Sequence, residues 1–289
     1  MSGVISIVTW YNPAEENVSN AKLIALQSDS MIICDNSTQD NFSYTQGIKN
    51  CRYFANGENL GLSKAFNRVL QDPSLNWQDD DFIIFFDQDS KIPPFHIEKL
   101  MQEYEVISKD EPIGCIGPVY FDVNEGKEQI PRMRECINNK TFKCAGIITT
   151  SMLCKYKTLR MVGYWNEDIF LDMADWDLCW RIMQHGDFVC MTSASVIRHA
   201  VGKGSKKIGR FKLHNWAPFR EYYQTRDCLK LLGKGYVPLK FKIRFICWLT
   251  VRPIPHCLFL PNGIERIKYV IKGMVDFFTG KDEVIGPKV

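Results

Sequence analysis

Apolar residues recur along this chain in two rhythms, and their alternation sets out the first half of the fold. "VISIVTW" (Val4–Trp10), "MIICDNS" (Met31–Ser37), "CRYFAN" and "FIIFF" (Phe82–Phe86) are short, nearly unbroken apolar runs bounded by polar clusters, the pattern of strands buried on both faces. Between them, a helix is predicted over about Glu15–Leu26. "NLGLSKAFNRVLQ" sets Leu62, Ala65, Phe66, Val69 and Leu70 on one face at helical spacing. Buried strands alternating with helices predict a parallel sheet covered on both sides. Ligands of such sheets bind beyond the carboxyl ends of the strands. That rule selects Thr9–Tyr11, Asp35–Ser37 and Asp87–Ser90, each a polar cluster following an apolar run.

The second half is less regular. "IGCIGPVYF" and "KCAGIITTSMLC" read as strands, and "FLDMADWDLCWRIMQHG" as a loop entering a helix that Gly186 would end. "FVCMTSASVIRHAVGKG" reads as a strand ending in His199 and a Gly/Lys-rich loop. From Phe219 onward the pattern is helical, and "VRPIPHCLFLPNG" forbids one continuous helix. The division expected is a sheet-based region over 1–215, in halves 1–120 and 121–215, followed by a helical region over 216–289.

Composition narrows the class. With 45% hydrophobic and 24% charged residues, the 289-residue chain is an ordinary globular protein. "MSGVISIVTWYNP" lacks a basic leader and a long apolar core, and no apolar run reaches the ~18 residues of a spanning helix. The eleven cysteines include no C-x-x-C pair, which fits reduced thiols and a cytoplasmic location. The net charge of +3 hides a split: residues 1–202 hold 18 Lys+Arg against 27 Asp+Glu, whereas residues 203–289 hold 18 against 6. A basic C-terminal region of that kind faces a polyanion such as phosphate or an anionic lipid surface, or is simply a solvated face. Nucleic acid is disfavoured, because no recognised module accompanies the charge.

The chain has neither a G-x-x-x-x-G-K-[ST] loop nor a G-x-G-x-x-G turn after its first strand, which argues against the common phosphate loops. The remaining way to handle phosphate is a hard divalent cation, Mg²⁺ or Mn²⁺, held by carboxylates. Asp87 and Asp89 in "FFDQDS" have that character, since two like charges one residue apart call for a cation or for open water. "DMADWDLCWR" gathers Asp172, Asp175 and Asp177; near a helix N-cap, Asp175 would stay ionised and serve as a general base. His199 could add a nitrogen ligand to the same metal. Taken singly, each has a plainer reading: a chance D-x-D loop, a helix cap, a loop histidine.

Read in order, "SIVTWYNP", "CDNS", "NLGLSKAFN", "FFDQDS", "CAGIITTSML", "VGYWNEDIFLDMADWDLCWR" and "HAVG" resemble a family 2 glycosyltransferase of the inverting, nucleotide-sugar-dependent type. The resemblance spans about residues 4–285. The D-Q-D-S variant, "REYYQTRD" and "GMVDFFTGK" are similar to bacterial rhamnosyltransferases that build surface polysaccharides such as O-antigen or capsule. It implies a GT-A fold: a Rossmann-like mixed α/β sheet flanked by helices, with a basic helical extension. It also implies nucleotide-sugar contacts from Thr9, Asp35, Asn36, Asn59, Gly61, Asn67, Asp87 and Gln88. Asp87, Asp89 and His199 would hold Mn²⁺ or Mg²⁺, and Asp175 would be the catalytic base. Asp172, Trp176, Asp177 and Arg181 would support the acceptor or its loop. The donor implied is dTDP-L-rhamnose, with UDP-galactofuranose, UDP-galactose and UDP-glucose open. The acceptor implied is a polyprenyl-diphosphate-linked glycan at the inner face of the cytoplasmic membrane. Trp176 and the "ITTS" segment (Thr149, Thr150 and Ser151) depart from the pattern of many relatives, which bears on acceptor geometry.

Two rivals stand beside this. A glycosidase would use two carboxylates as acid and base, but the chain shows no sugar-cleft barrel. A non-catalytic membrane-surface scaffold would not need Asp87, Asp89, Asp175 and His199 together. The mixed basic and apolar segments "KFKIRFICWLTVRPIPHCLFL" and "IERIKYVIKGMVDFF" suit an interfacial helix on an anionic leaflet, packing on the catalytic domain, or an oligomer contact.

Overall fold

The computed structural model describes residues 3–131, 134–199, 204–208 and 211–286. It divides into two compact units, the first comprising residues up to Phe121 with Glu128–Glu167 and Ala174–His199. The second comprises Asp122–Lys127, Asp168–Met173 and Ala200 onward.

The first unit begins with β1 (Val4–Trp10), α1 (Glu15–Ala25), β2 (Ser30–Asp35), a 3-10 turn, β3 (Cys51–Ala55), α2 (Gly61–Leu70) and β4 (Phe82–Asp87). The pairs β2–β3, β1–β2 and β1–β4 are all parallel, as the alternation predicts. Phe82, Ile84 and Phe86 join Val8, Ile33, Ile97 and Leu100 in one core layer. Phe85, on the other face, packs 4.6 Å from Phe66 of α2 and 5.1 Å from Trp165. The unbroken apolar run of β4 follows from this burial on both sides.

The chain continues with α3 (His96–Ile107), β5 (Ile113–Asp122), β6 (Lys127–Gln129), β7 (Glu135–Cys136), β8 (Thr141–Lys143), β9 (Met152–Lys155), α4 (Tyr156–Met161), α5 (Ala174–Gln184) and β10 (Phe188–His199). The sheet is mixed, in the order β3-β2-β1-β4-β9-β5-β10-β8-β7, with β6 on β5. "KCAGIITTSMLC" is not one strand, since residues 144–151 form a loop between β8 and β9. Its last residue, Ser151, has φ +67°, which no strand accommodates. All eleven cysteines are free thiols.

The second unit carries a hairpin, β11 (Ser205–Ile208) with β12 (Phe211–His214), followed by α6 (Arg220–Leu232), α7 (Leu239–Thr250), α8 (Pro253–Phe259) and α9 (Gly263–Thr279). A short helix therefore forms where the prolines were expected only to break the chain. Pro253 and Pro255 lie in its first turn, where no N–H is needed. α6 is the core element, buried continuously from Glu221 to Cys228, and it packs against α9. Gly273 permits that approach: a Cβ there would lie 2.7 Å from the Tyr222 carbonyl oxygen. Glu221 is fully buried and takes hydrogen bonds from His256 (2.7 Å) and Arg252 (2.9 Å), with Arg266 at 3.3 Å. Burial pushes its carboxyl up, but the His256 hydrogen bond and the two guanidinium charges outweigh that and hold it below the usual range.

In the first unit, His96 opens α3 fully buried, with Nδ1 2.7 Å from Ser195 Oγ of β10. Burial pushes its imidazole down to about 4, with the Lys99 charge adding to the effect. The unfolded chain therefore binds this proton below about pH 6.5 while the folded chain does not, so stability falls with pH between those values. Urea titrations at pH 7.5 and pH 4.5 should show a loss of up to about 3 kcal/mol from this group. His96→Gln, which keeps a partner for Ser195, should remove most of that difference.

Candidate active site

The parallel register brings three of the predicted positions to one edge of the sheet. Thr9 stands opposite Cys34 on one side and Asp87 on the other, and Trp10 stands opposite Asp35. The carboxyl ends of β2, β1 and β4 thus bring Asp35, Thr9 and Asp87 to one edge of the sheet, with Thr9 and Asp87 adjacent on one face and Asp35, one residue further on, directed to the other.

Asp35 is buried, and its carboxylate is fully engaged in the local structure. It accepts hydrogen bonds from the Ser37 N–H (2.8 Å), Asn41 Nδ2 (2.8 Å) and the Tyr53 hydroxyl (2.7 Å). Burial and the adjacent Asp35 charge drive the Tyr53 phenol upward, so Tyr53 remains a donor. Asn36 donates to the Gly61 carbonyl at 3.0 Å, tying the end of β2 to the start of α2. Asn59 accepts from the Gly61 N–H at 3.1 Å, and Gly61 takes φ +77°, the left-handed region that favours glycine. Asn67 lies further along α2 and is engaged with the segment that carries Trp165. Its amide donates to the Trp165 carbonyl and Glu167 (both 2.9 Å) and accepts from the Trp165 N–H (2.9 Å).

The D-Q-D turn is pinned from three directions. The Gln88 side chain accepts from the Tyr11 N–H at 2.7 Å, and the Gln88 carbonyl accepts from Asn17 at 3.1 Å and Asn20 at 3.4 Å. Thr150 donates to Asp87 Oδ2 at 2.5 Å, while the Ser151 N–H bonds to the Phe85 carbonyl at 2.7 Å. Asp87 is half-buried and Asp89 exposed. A backbone bridge pairs Lys91 with Arg198 in antiparallel sense, which sets His199 alongside the turn that carries Asp89. His199 also meets Tyr120 edge-on at 5.9 Å. Carboxylate oxygens with one imidazole nitrogen form a donor set suited to Mn²⁺ or Mg²⁺. Among the described residues, no three His, Cys, Asp or Glu side chains are already gathered around one point.

α5 begins at Ala174, so Asp175 lies in the first turn rather than at the cap itself. Its Oδ1 accepts the Trp176 N–H at 2.8 Å, and negative charge at that end of a helix is stabilised by the free N–H groups. The Trp176 ring covers Gly146, where an added Cβ would lie 3.4 Å from Cδ1. Asp177 is completely buried and accepts from Asn166 at 3.1 Å and from Arg181 Nε at 2.7 Å. Arg181 Nη1 donates to the carbonyls of Val162 and Tyr164, both at 2.6 Å. Asp177 and Arg181 thereby hold the loop that also carries Trp165. Asp172 belongs to the second unit, where it pairs with Arg220 and accepts from Gln224 at 3.0 Å.

Tyr53, Asn41 and Asn17 support the site but carry no sequence signal of it, and the segments that hold Tyr11 and Thr150 are marked in the sequence without revealing these contacts. Thr150 lies 63 residues from Asp87, and neither residue forms part of a local motif that predicts the other.

Removing Asp177 would leave the largely buried Arg181 guanidinium without its counter-charge. Asp177→Ala should cost about 3–5 kcal/mol of stability, read from urea unfolding, and lower the soluble yield.

The profile of Glycosyl transferase family 2 matches residues 19–164. Over its whole length the chain is similar to a dTDP-rhamnosyl transferase, RfbF, of Shigella flexneri, 28% identical over 96% of this chain and 96% of that protein. Among solved structures it resembles GalNAc-T7 with UDP, GalNAc and Mn²⁺, at a TM-score of 0.56, 10% identity and 85% of this chain. The chain spans 54% of that GalNAc-T7 chain. It also resembles S. aureus TarS 1-349, at a TM-score of 0.52, 14% identity, 96% of this chain and 80% of that one. These two likenesses bear on fold, and the mixed sheet flanked by helices is the GT-A arrangement. With the profile covering half of its length, the chain belongs to glycosyl transferase family 2 and is a glycosyltransferase.

Proposed function

We propose that the protein transfers L-rhamnose from dTDP-L-rhamnose, with inversion, to a hydroxyl of a growing bacterial surface polysaccharide. An O-antigen or capsule glycan linked to polyprenyl diphosphate, presented at the inner face of the cytoplasmic membrane, fits this reading. The observation that carries it is the similarity, over 96% of both chains, to a dTDP-rhamnosyl transferase, together with the sheet edge at which the ends of β2, β1 and β4 bring Asp35, Thr9 and Asp87 together.

The reaction is a single displacement. The acceptor oxygen attacks the anomeric carbon from the face opposite the nucleotide, and Asp175 takes the hydroxyl proton. The bond from the anomeric carbon to the diphosphate oxygen breaks, and the nucleoside diphosphate leaves with that electron pair. Thr9, Asn36, Asn59 and Gly61 line the nucleotide end; Asp35 and Gln88 keep the two strand ends in place. Asp89, His199 and Asp87 would hold Mn²⁺ or Mg²⁺, which when bound neutralises charge on the departing diphosphate. Thr150 orients Asp87 for that role. Asp177 and Arg181 brace the loop beside the base.

The test is a donor panel of dTDP-L-rhamnose, UDP-galactofuranose, UDP-galactose and UDP-glucose, with a lipid-linked acceptor and Mn²⁺ or Mg²⁺. Nucleoside diphosphate release should occur with dTDP-L-rhamnose. Asp175→Asn should lower the rate by about 10²–10⁴-fold, while Asp89→Ala should raise the metal concentration needed. Preference for a UDP-sugar would replace the donor assignment. Unchanged turnover in Asp175→Asn would remove that residue as base, and nucleotide binding without turnover of any donor would favour a scaffold.

A further inference from the structure

The helix α9 of the second unit is inside out. On α9 the buried positions are Arg266, Val270, Gly273 and Asp276, three of them polar or without a side chain. The exposed apolar positions are Ile264, Ile267, Ile271, Val275 and Phe278, with Ile264 73% and Phe278 79% accessible, and the exposed Lys268 lies beside them. At 3.6 residues per turn these five fall within an arc of roughly 80° on the side away from α6. A helix at the surface of a globular protein normally has the opposite arrangement. The polar inner face is satisfied: Arg266 bonds to Glu221, Asn215 and the Trp216 carbonyl, and Asp276 to Tyr222 and Lys272. The outer face therefore has its own reason to be apolar.

The outward apolar face continues on the neighbouring helices. α7 buries Phe245 and exposes Leu239, Ile243 and Ile246, again on one side. Lys240 and Arg244 lie on one flank of that side and Lys242 on the other, by helical spacing. α8 adds exposed Ile254 and Leu258. Residues 239–280 hold seven Lys+Arg and two Asp+Glu, and one of those acids, Asp276, is buried. None of the described helices is long and apolar enough to cross a membrane.

We propose that the outer faces of α7, α8 and α9 form a docking surface for an anionic phospholipid bilayer, with the helices lying in the plane of the headgroups. Exposed apolar surface of this extent marks an interaction site, and apolar stripes flanked by Lys and Arg match the requirements of the interface. Charge decides against a second copy as the occupant. A two-fold contact would face these flanks with themselves, basic against basic and with almost no acid to pair. This assignment does not rest on the choice of donor, because binding is read without donor or acceptor.

The experiment is co-sedimentation of the full chain with phosphatidylcholine vesicles, with and without phosphatidylglycerol, accompanied by light scattering of the free protein. Binding to the anionic vesicles should be at least about tenfold tighter and should weaken with salt. Ile267→Ser with Ile271→Ser should reduce it about tenfold or more while leaving circular dichroism unchanged, because both side chains are exposed. Lys240→Glu with Lys242→Glu should abolish the preference for the anionic lipid. Absence of binding to either vesicle at low salt would overturn the assignment. So would a dimer in solution that Ile271→Asp converts to a monomer, which would make the face a subunit interface.

Discussion

Parallel strands deliver their end residues to one level only when the register between them is fixed, and the candidate site depends on that condition. β1 is the central strand of three, and a slip of one residue against β4 or β2 would send every side chain of the moved strand to the opposite face of the sheet. The uninterrupted apolar sequence of β4 does not prevent such a slip by alternation, because both of its faces are buried. Polar contacts at the strand ends add the missing definition. Gln88 holds the Tyr11 N–H across the β1–β4 gap, and Asn36 ties the end of β2 to α2. Residues that a ligand would meet and residues that lock the register are interleaved here, so binding and folding place demands on the same short segments.

The sequence made the first half of the fold legible for a physical reason. Strands buried on both faces read as continuous apolar runs, and the intervening helices repeat at their own period. The boundaries of β1 agree to the residue, and those of β2, β3 and α2 to within one or two. The loop over 144–151 was not legible, because its apolar residues pack inward from an irregular backbone and imitate a strand. α8 was hidden for a related reason: proline excludes helix interiors but not first turns. Of the site, the positions at strand ends could be found from topology alone. The hydrogen bonds that occupy Asn67, Asp35 and Arg181 could not, since their partners lie well along the chain or belong to the backbone.

Two acidic residues in one turn raise a problem of repulsion, and the turn treats them unequally. Asp87 is half-buried, receives the Thr150 hydroxyl and sits under a constrained loop, whereas Asp89 projects into solvent. Water screens Asp89, and a short hydrogen bond disperses the charge of Asp87. This division leaves the outer carboxylate better hydrated, while the inner one is already oriented, an inequality that would suit the metal-holding role proposed for the pair. The Lys91–Arg198 bridge then matters because it fixes where the chain carrying His199 runs, even though the imidazole itself rests against Tyr120.

The second unit handles charge in the opposite manner. Glu221, Arg226, Asp227, Arg266 and Asp276 lie in its interior, paired with one another or with buried hydroxyls, while isoleucine and phenylalanine face outward. Buried ion pairs contribute little net stability, because desolvation offsets most of their attraction. The interior therefore gains less from this composition than an apolar core of equal volume would provide. A chain that sought only stability would exchange the two faces of α9. That the exchange has not occurred locates the constraint on the outer face, and the basic flanks of α7 give that constraint a sign: the surface it meets is apolar in depth and negative at its rim.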